Sequence, residues 1–175
     1  MHPKDYAIFL KSPTERCFSK EASEKDYITI TEQLGRKPRG LLEISFRMHD
    51  ETPAVIKTSP MIDAKIPFPT LYYLTHPSLV YACSKLEADG YMLYLNGLLT
   101  ADSELREKYE TAHKLYILSR DNVLKVPELA NFSAGGMPNR VKCLHSLVAH
   151  SLAAGKGVQV IGDIVSEQIW CAFAF

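Results

Sequence analysis

Short runs of apolar and β-branched residues predict the strands of a small sheet. Residues 41–47 alternate between apolar and polar side chains, residues 54–58 predict a second strand, and the aromatic run 70–75 predicts a third. The first two runs are close enough along the chain to form a hairpin. Three prolines between Ser59 and Pro69 predict an irregular connection to the third strand.

Apolar positions spaced three and four apart predict helices over most of the remaining chain. The predicted helical segments are 26–34, 78–89, 91–99, 102–121 and 138–154. Ser23 or Asp26 caps the first segment, and Gly35 ends it. Residues 158–163 are ambiguous and are compatible with an edge strand. The predicted fold class is α+β, with a small antiparallel sheet of about three strands packed by three to four helices.

The composition is that of an ordinary globular protein. Of the 175 residues, 46% are hydrophobic and 23% are charged, and the formal net charge is zero. Nucleic-acid binding is driven by phosphate contacts and needs a basic surface, so we expect no nucleic-acid partner. No window approaches the ~20 apolar residues of a membrane span, so we expect no membrane partner. We expect a loosely ordered tail over residues 1–23 and a single globular domain over residues 24–175.

The cysteines and the first residues indicate a compartment. Cys17, Cys83, Cys143 and Cys171 are widely spaced and include no C-x-x-C pair, which favours reduced thiols over a disulfide framework. The first apolar run is four residues long, too short for the core of a secretion signal. Both features predict a cytoplasmic protein. The sequence names no cofactor and leaves the oligomeric state open.

Residues 133–150 hold the densest run of chemically capable side chains. A glycine pair precedes Pro138, which fits the first position of a helix, and the free N–H groups at a helix start attract anions. Glycine also lets a ligand approach the backbone closely. The candidate ligand-binding residues of this stretch are Gly135, Gly136, Arg140, Lys142 and His145.

The long helix 102–121 offers a second wall for a pocket. At about 100° per residue, five of its side chains fall on one stripe roughly 80° wide, beside the face predicted to be buried. They are Arg106, Tyr109, His113, Tyr116 and Arg120. Arginine presents a planar donor fork to carboxylate or phosphate, and histidine titrates near neutrality. The alternative is an amphipathic border on which long side chains flank the core.

A metal site is a further alternative. Cys143, His145 and His150 form a C-x-H-x-x-x-x-H pattern of good ligands. On a regular helix Cys143 and His145 point about 160° apart, and Cys143 lies ~10.5 Å along the axis from His150. Because a zinc bond is only ~2.0–2.3 Å long, the helix alone cannot build a site. No metal is favoured on this pattern, and the alternative metal set is His76, Cys143 and His150.

Catalysis by a cysteine is also open. Cationic neighbours and a helix start lower the pKa of a thiol, which makes Cys143 a candidate nucleophile. The commoner role of such a cysteine is as a buried, inert side chain. His113 or His150 is the candidate proton carrier, with Asp163 as a partner. Whether the protein is an enzyme stays open.

Five motifs occur in a recognisable order. They are L-G-R-K-P-R-G, P-F-P-T-L-Y-Y-L-T-H-P, S-K-L-E-A-D-G, A-H-K-L-Y-I-L-S-R and S-A-G-G-M-P-N-R-V-K-C-L-H-S-L-V-A-H-S-L-A-A-G. Over about residues 26–165 the chain resembles a bacterial family, the domain of unknown function 501. The resemblance implies a cytoplasmic bacterial protein with no established reaction, encoded near genes for enolase, a septum-formation initiator and an exopolyphosphatase. His76 stands where members often have a cysteine, and R-M-H-D stands where they have a cysteine cluster.

The leading functional hypothesis is a pocket for a small anionic ligand, with phosphorylated molecules among the candidate ligands. Its walls are Arg36 and Arg39 from the cation-rich turn 34–40, His113 and Arg120 from the long helix, and the residues that follow the glycine pair. The alternative for the turn is a solvated link before the first strand. The alternatives for the whole protein are a non-enzymatic interaction protein linked to cell division or to a neighbouring enzyme, and a metal-binding protein. For the interaction protein, the apolar tail Ile169–Phe175 would matter most.

Overall fold

The fold is built on a three-stranded antiparallel sheet, seen in a computed structural model that describes residues 2–172. The strands are β1 (Leu41–Arg47), β2 (Pro53–Thr58), β3 (Met61–Ile62), β4 (Ile66–Pro67) and β5 (Tyr72–Leu74). β1, β2 and β5 form the sheet in that order, so β5 is an edge strand. β3 and β4 pair with each other in the proline-rich connection, which was predicted to be irregular.

Helices make up most of the rest of the described chain. They are α1 (Pro3–Leu10), α2 (Glu24–Leu34), α3 (Pro77–Ala88), α4 (Tyr91–Ala101), α5 (Ser103–Asp121), α6 (Leu144–Ala154) and α7 (Val160–Ala172). The predicted α+β class and the predicted positions of β1, β2, β5 and α2 to α5 are confirmed. Between residues 2 and 172, no helix combines the length and the apolar character needed to cross a membrane.

The sheet is covered on both faces. Val55 and Leu74 pack into the main core below α6, whereas Ile56 packs into a smaller cluster under α2. A bulge between Ile44 and Phe46 places these residues on opposite faces, although their spacing in a regular strand would put them on the same one. The three strands are thus buried on both sides, which fits the almost continuous apolar character of β2.

α2 is fixed to the sheet by a buried ion pair. The guanidinium of Arg47 on β1 donates to both carboxylate oxygens of Asp26, at 2.7 and 2.9 Å. The side chain of Ser23 accepts from the backbone N–H of Asp26, and Gly35 ends the helix in the left-handed conformation. These are the start and stop signals that the sequence predicts.

Two segments differ from their predictions. Residues 158–163 were compatible with an edge strand, but from Val160 onward they form the start of α7, where Gly162 packs against the backbone of α6. The N-terminal segment, expected to be a loose tail, contains α1. Phe9 of that helix is completely buried and stacks on Trp170 with ring centroids 5.4 Å apart. Of the predicted apolar tail, Ile169 and Trp170 are buried in α7, and residues 173–175 lie outside the described residues.

Candidate functional site

The helix that carries the candidate cluster begins later than predicted. α6 starts at Leu144, and Cys143 precedes it as the N-cap residue in an extended conformation, with φ −148° and ψ 112°. Pro138 lies in the loop before it. The prediction of a helix from Pro138 is wrong because the preceding glycine pair folds the loop back on itself.

Gly135 and Gly136 shape that loop. Both have positive φ, +70° and +94°. The carbonyl of Gly135 accepts hydrogen bonds from the backbone N–H groups of Lys142, at 2.7 Å, and Cys143, at 3.3 Å. A Cβ on Gly136 would lie 2.5 Å from the carbonyl oxygen of Arg140. Only glycine fits both positions, and the hydrogen bonds of Gly135 fix the backbone at Lys142 and Cys143.

Three potential metal ligands converge at the start of α6. One ligand atom from each of Glu87 on α3, Cys143 and His145 lies within 4.8 Å of the other two. His145 Nδ1 is 3.2 Å from Glu87 Oε1 and 3.9 Å from Cys143 Sγ. The predicted 160° separation of Cys143 and His145 is wrong because Cys143 is extended and not helical. An extended residue directly before the first turn lets the thiol and the imidazole face each other.

The imidazole of His145 is oriented by α3. Its Nε2 lies 3.2 Å from the carbonyl oxygen of Val80 and 3.1 Å from Oγ of Ser84. A carbonyl only accepts hydrogen bonds, so Nε2 lies where a ring N–H can donate to it, and Nδ1 is turned towards the cluster. Metal-binding histidines are commonly held in this way, with the second ring nitrogen donating to a carbonyl.

The other two groups are also held in place. The backbone N–H of Leu144 donates to Glu87 Oε1 at 2.7 Å, and Ser146 Oγ donates to Cys143 Sγ at 3.6 Å. The first N–H of α6 is therefore already used by a carboxylate of the protein itself. This N–H is therefore not available to the predicted anion.

The electrostatics of the cluster favour charged forms. The hydrogen bond to Cys143 raises the pKa of His145, burial opposes this, and the charge of Glu87 adds to the rise. For Cys143, burial alone would raise the pKa of the thiol, but the hydrogen bonds from His145 and Ser146 outweigh it and lower the pKa. The thiolate, the form that attacks electrophiles and binds metals, is therefore easier to reach than in a free cysteine.

Two of the donor spacings are close to those of a tetrahedral ion. With metal bonds of ~2.0–2.3 Å, neighbouring donors of a tetrahedral site lie about 3.3–3.8 Å apart. The two distances from Nδ1, 3.2 Å to the carboxylate and 3.9 Å to the sulfur, bracket that range. Three protein ligands are the number typical of catalytic zinc sites, in which the fourth position takes water or substrate.

A cleft opens beside the cluster. Its volume is about 360 Å³, and Cys143, His145 and Ser146 form one wall. The floor is β5 and its flanks, and the far wall is the end of α2, with Gln33 and Leu34. The lining is mostly aromatic, aliphatic or hydroxyl-bearing and includes no lysine or arginine. Ligand pockets of this size and character usually bind neutral, partly apolar molecules.

The predicted stripe on α5 is the buried face of the helix. Tyr109, Tyr116 and Arg120 are completely buried, whereas Leu115 and Leu118, on the adjoining face, are exposed. The guanidinium of Arg120 donates to the carbonyls of Phe132 and Leu129, the latter at 2.7 Å. Arg120 therefore holds the loop after α5, and this position does not fit a role in an open anion pocket.

The other predicted histidines lie away from the cluster. His150 is buried between the rings of Tyr72 and Tyr116, and neither of its ring nitrogens has a hydrogen-bond partner among residues 2–172. Burial lowers its pKa to about 3, so it stays neutral near pH 7 and is poorly suited to carry protons. His113 Nδ1 lies 2.8 Å from Ser133 Oγ.

Asp163, the predicted partner of a proton carrier, instead accepts from the hydroxyl of Ser151 at 2.5 Å and the backbone N–H of Gly157 at 2.7 Å. His76 is the residue before α3, and burial lowers its pKa. In the described part of the chain, the predicted metal set of His76, Cys143 and His150 does not converge. The three ligands that do converge are Glu87, Cys143 and His145.

The predicted basic residues do not meet in one cavity. Arg36 and Arg39 line a shallow groove of about 300 Å³ on the α2 side of the sheet. Arg39 also pairs with Asp63 at 2.6 Å. Arg140 and Lys142 are exposed in the loop before α6. The pocket that would combine all of these cations with Arg120 is not present in the described structure.

Glu87 is the member of the candidate site that the sequence analysis missed. It lies 56 positions before Cys143, so no local spacing connects the two, and it belongs to the S-K-L-E-A-D-G motif on α3. Ser84 and the carbonyl of Val80, which orient His145, lie on the same helix. Only the packing of α3 against α6 brings them to the cluster.

The chain belongs to the family described as protein of unknown function (DUF501), whose model matches residues 44–167. The matched region includes Glu87, Cys143 and His145 and leaves out α1 and α2. No curated protein and no solved structure matches the chain.

Proposed function

We propose that this DUF501 protein binds a divalent transition-metal ion, most simply zinc, through Glu87, Cys143 and His145. The open fourth coordination position of the ion faces the cleft beside β5. A neutral, partly apolar molecule binds in that cleft and reacts at the ion. Thiolate, imidazole and carboxylate are all ligands that zinc accepts. The alternative metal set of the sequence analysis is replaced by this one because only these three groups converge.

The observation that carries the proposal is the orientation of His145. Nε2 faces the carbonyl of Val80, and Nδ1 faces a thiol and a carboxylate at the same time. A proton on Nδ1 can satisfy two acceptors only partially. A metal ion at the common centre would bind all three donors, and the contact between Nε2 and Val80 would keep the ring in the required orientation.

Nucleophilic catalysis by Cys143 fits this geometry less well. In a cysteine–histidine pair that transfers protons, one ring nitrogen faces the sulfur and the other faces the orienting carboxylate. Here Glu87 and Cys143 share Nδ1, and Nε2 is bound to the backbone. The arrangement resembles a ligand set more than a proton relay.

A metal with an open position supplies a defined kind of chemistry. It lowers the pKa of bound water towards neutrality and polarises carbonyl oxygens. The protein's own part is to fix the three ligands and to exclude bulk water with the aromatic floor of the cleft. Tyr72 and Tyr73 supply that floor, and Gln33 lies opposite the cluster. We therefore infer metal-assisted hydrolysis or hydration as the reaction class.

The test is metal binding by matched variants. Purified protein is analysed for bound metal, stripped, and titrated with zinc against a competing chelator. We expect one zinc per chain, with affinity reduced more than about 100-fold in Cys143→Ser and in His145→Ala, because each removes a direct ligand. Cys171→Ser is the control, since this cysteine is exposed and distant in sequence. Equal zinc affinity in all four proteins, or none in the wild type, would refute the proposal.

A small-anion site at the turn before β1 is the second candidate function. It keeps the part of the predicted anion pocket that the fold brings together, because Arg36 and Arg39 line one groove. A double substitution of both arginines by glutamine should abolish phosphate binding if this groove is the site.

The four free cysteines also support our proposal that the protein works in a reducing compartment such as the cytoplasm.

A further inference from the structure

A second, smaller cavity lies between the N-terminal segment, the sheet and the end of α6. Its volume is about 140 Å³, and its lining includes none of the three cluster residues. The charged and hydroxyl-bearing residues in the lining are Arg16, Lys20, Glu43, Ser45, Lys57 and Tyr72. Three of these side chains are cationic and one is acidic, so the cavity has an excess of positive charge.

Arg16 is a buried cation without a carboxylate partner. Only 8% of the residue is exposed, and its guanidinium lies 4.9 Å from the centre of the Phe46 ring. Nε donates to the carbonyl of Lys11 and Nη1 to the carbonyl of Leu152. Within residues 2–172, Nη2 has no hydrogen-bond partner and no acidic group is in ion-pair range.

Arg16 therefore lacks a partner for one of its donor groups and a nearby negative charge. Burial lowers its pKa to about 10, so the side chain is still charged at neutral pH. Leaving a buried charged donor unpaired costs more free energy than leaving a neutral donor unpaired. Buried charges in proteins are normally paired, and a bound anion is one way to pair this one.

The neighbouring groups complete a site for an oxyanion. Ser45 is 7% exposed, lines the cavity, and its hydroxyl has no hydrogen-bond partner in the described chain. Lys20 is exposed at the rim. Lys57 lies on β2, 3.5 Å from Glu43, and this distance makes the pairing a loose one. Guanidinium, hydroxyl and ammonium donors around a small volume are the groups that recognise phosphate oxygens.

We propose that the cavity bounded by Arg16, Ser45, Lys20 and Lys57 binds a small oxyanion of the phosphate class. Organic ligands usually occupy pockets of about 300 Å³ or more, so 140 Å³ suits an inorganic ion or a single terminal phosphate group. Arg16 and Lys20 lie before the region matched by the family model, so half of the site is formed by residues outside it. The site shares no proposed ligand residue with the metal centre, although Tyr72 lines both cavities.

The experiment is a titration of the full chain with inorganic phosphate at constant ionic strength. Binding is measured by calorimetry and by the change in melting temperature. Chloride at equal ionic strength is the reference, because screening alone does not saturate. We expect saturable binding and a rise in melting temperature that follows occupancy. Phenyl phosphate in a parallel titration separates the two sources: binding of phosphate alone indicates a free ion, and binding of both indicates a terminal phosphate group.

Three surface variants test the location without disturbing Arg16. Lys20→Gln should weaken phosphate binding about threefold, the effect of losing one exposed ion pair. Glu43→Gln should strengthen it, because the competing carboxylate is removed. Lys65→Gln makes the same charge change at an exposed turn outside the cavity lining and should have no effect. A gain of affinity in Glu43→Gln cannot result from unfolding, so this variant keeps the test valid.

The opposite results would overturn the proposal. They are the absence of saturable phosphate binding by the wild type, or binding that is unchanged in Lys20→Gln and Glu43→Gln. Loss of binding in the Arg36 and Arg39 double variant, with no effect of Lys20→Gln, would place the anion in the groove before β1 instead. If Arg16→Gln folds, its phosphate affinity should fall at least tenfold, because a buried charged donor is lost.

Discussion

The sulfur of Cys143 lies 3.9 Å from Nδ1 of His145, although a regular helix through both residues would turn them to opposite sides. The contact depends on the backbone of Cys143, which is extended directly before the first turn of α6. Glu87 then approaches the same nitrogen from α3. The candidate metal centre thus results from a helix start, a loop and a neighbouring helix, and each contributes one ligand.

The affinity for zinc should fall as the pH falls. Zinc must displace the proton of His145 and any proton on Cys143, and the pKa of His145 is raised by its hydrogen bond to the thiol. Titrations between about pH 5.5 and pH 8 should show the loss of affinity as the pH falls through this raised value. Proton release on binding, measured in buffers of different ionisation enthalpy, should accompany it.

In the metal-free protein, the contribution of His145 to folding stability should change with pH in the opposite direction to the zinc affinity. A pKa raised above the unfolded value of about 6.5 means that the pairing stabilises the fold below that pH, and the contribution is lost as the pH rises through the folded value. A zinc affinity independent of pH over this range would show that His145 is not a ligand.

Gly136→Ala should both destabilise the protein and weaken zinc binding. An alanine at φ +94° is strained, and its Cβ would lie 2.5 Å from the carbonyl of Arg140, so a loss of about 2 kcal/mol or more is expected. Gly157→Ala is the matched control: its φ is +96°, but nothing lies within 4 Å of the added Cβ. Both variants should lose stability in urea unfolding, and only Gly136→Ala should lose zinc affinity.

Arg120→Met should lower the free energy of unfolding by about 3 kcal/mol. The substitution removes the donors for the carbonyls of Leu129 and Phe132, of which that of Leu129 is buried, and an unpaired buried acceptor is costly. Lys114→Met, an exposed position on the same helix, should change stability by less than about 0.5 kcal/mol. A stable Arg120→Met protein that has lost phosphate binding would instead restore Arg120 to an anion pocket.

His150→Phe should remove part of the pH dependence of stability. The folded pKa of about 3 lies below the unfolded value of about 6.5, so the neutral ring stabilises the fold above pH 6.5. That contribution is lost as the pH falls towards 3, by up to about 1.4 kcal/mol per pH unit. Urea unfolding at several pH values should show a shallower slope in the variant. An unchanged slope would mean that His150 is protonated in the folded protein.

The sequence is informative where local signals decide the structure. Ser23 and Gly35 bound α2 as predicted, and Asp102 caps α5. The same rules fail at Pro138. A proline after two glycines has the features of a helix start, but long-range contacts of Gly135 and Gly136 with the residues before α6 fold the segment into a loop. Local helix propensity takes no account of such long-range contacts and therefore does not predict this loop.

The two candidate sites show the same limit. Cys143 and His145 were recognisable as chemically capable residues, but Glu87 is brought to them only by the packing of two helices. The prediction of anion-binding arginines rested on their charge alone. Arg120, one of them, is completely buried and holds a loop from inside the core. Arg16 was overlooked because its segment has no periodic pattern, although it is docked against the sheet and α6.

The cobalt(II) spectrum of the protein tests the central claim most directly. Cobalt(II) replaces zinc in tetrahedral sites, and its absorption spectrum shows both the coordination geometry of the site and whether a thiolate is bound. Stripped wild-type protein with one equivalent of cobalt should show intense visible bands of a four-coordinate ion and a sulfur-to-cobalt charge-transfer band. The charge-transfer band should be absent in Cys143→Ser and unchanged in Cys171→Ser. A weak octahedral spectrum, identical in all three proteins, would contradict a metal centre at Glu87, Cys143 and His145.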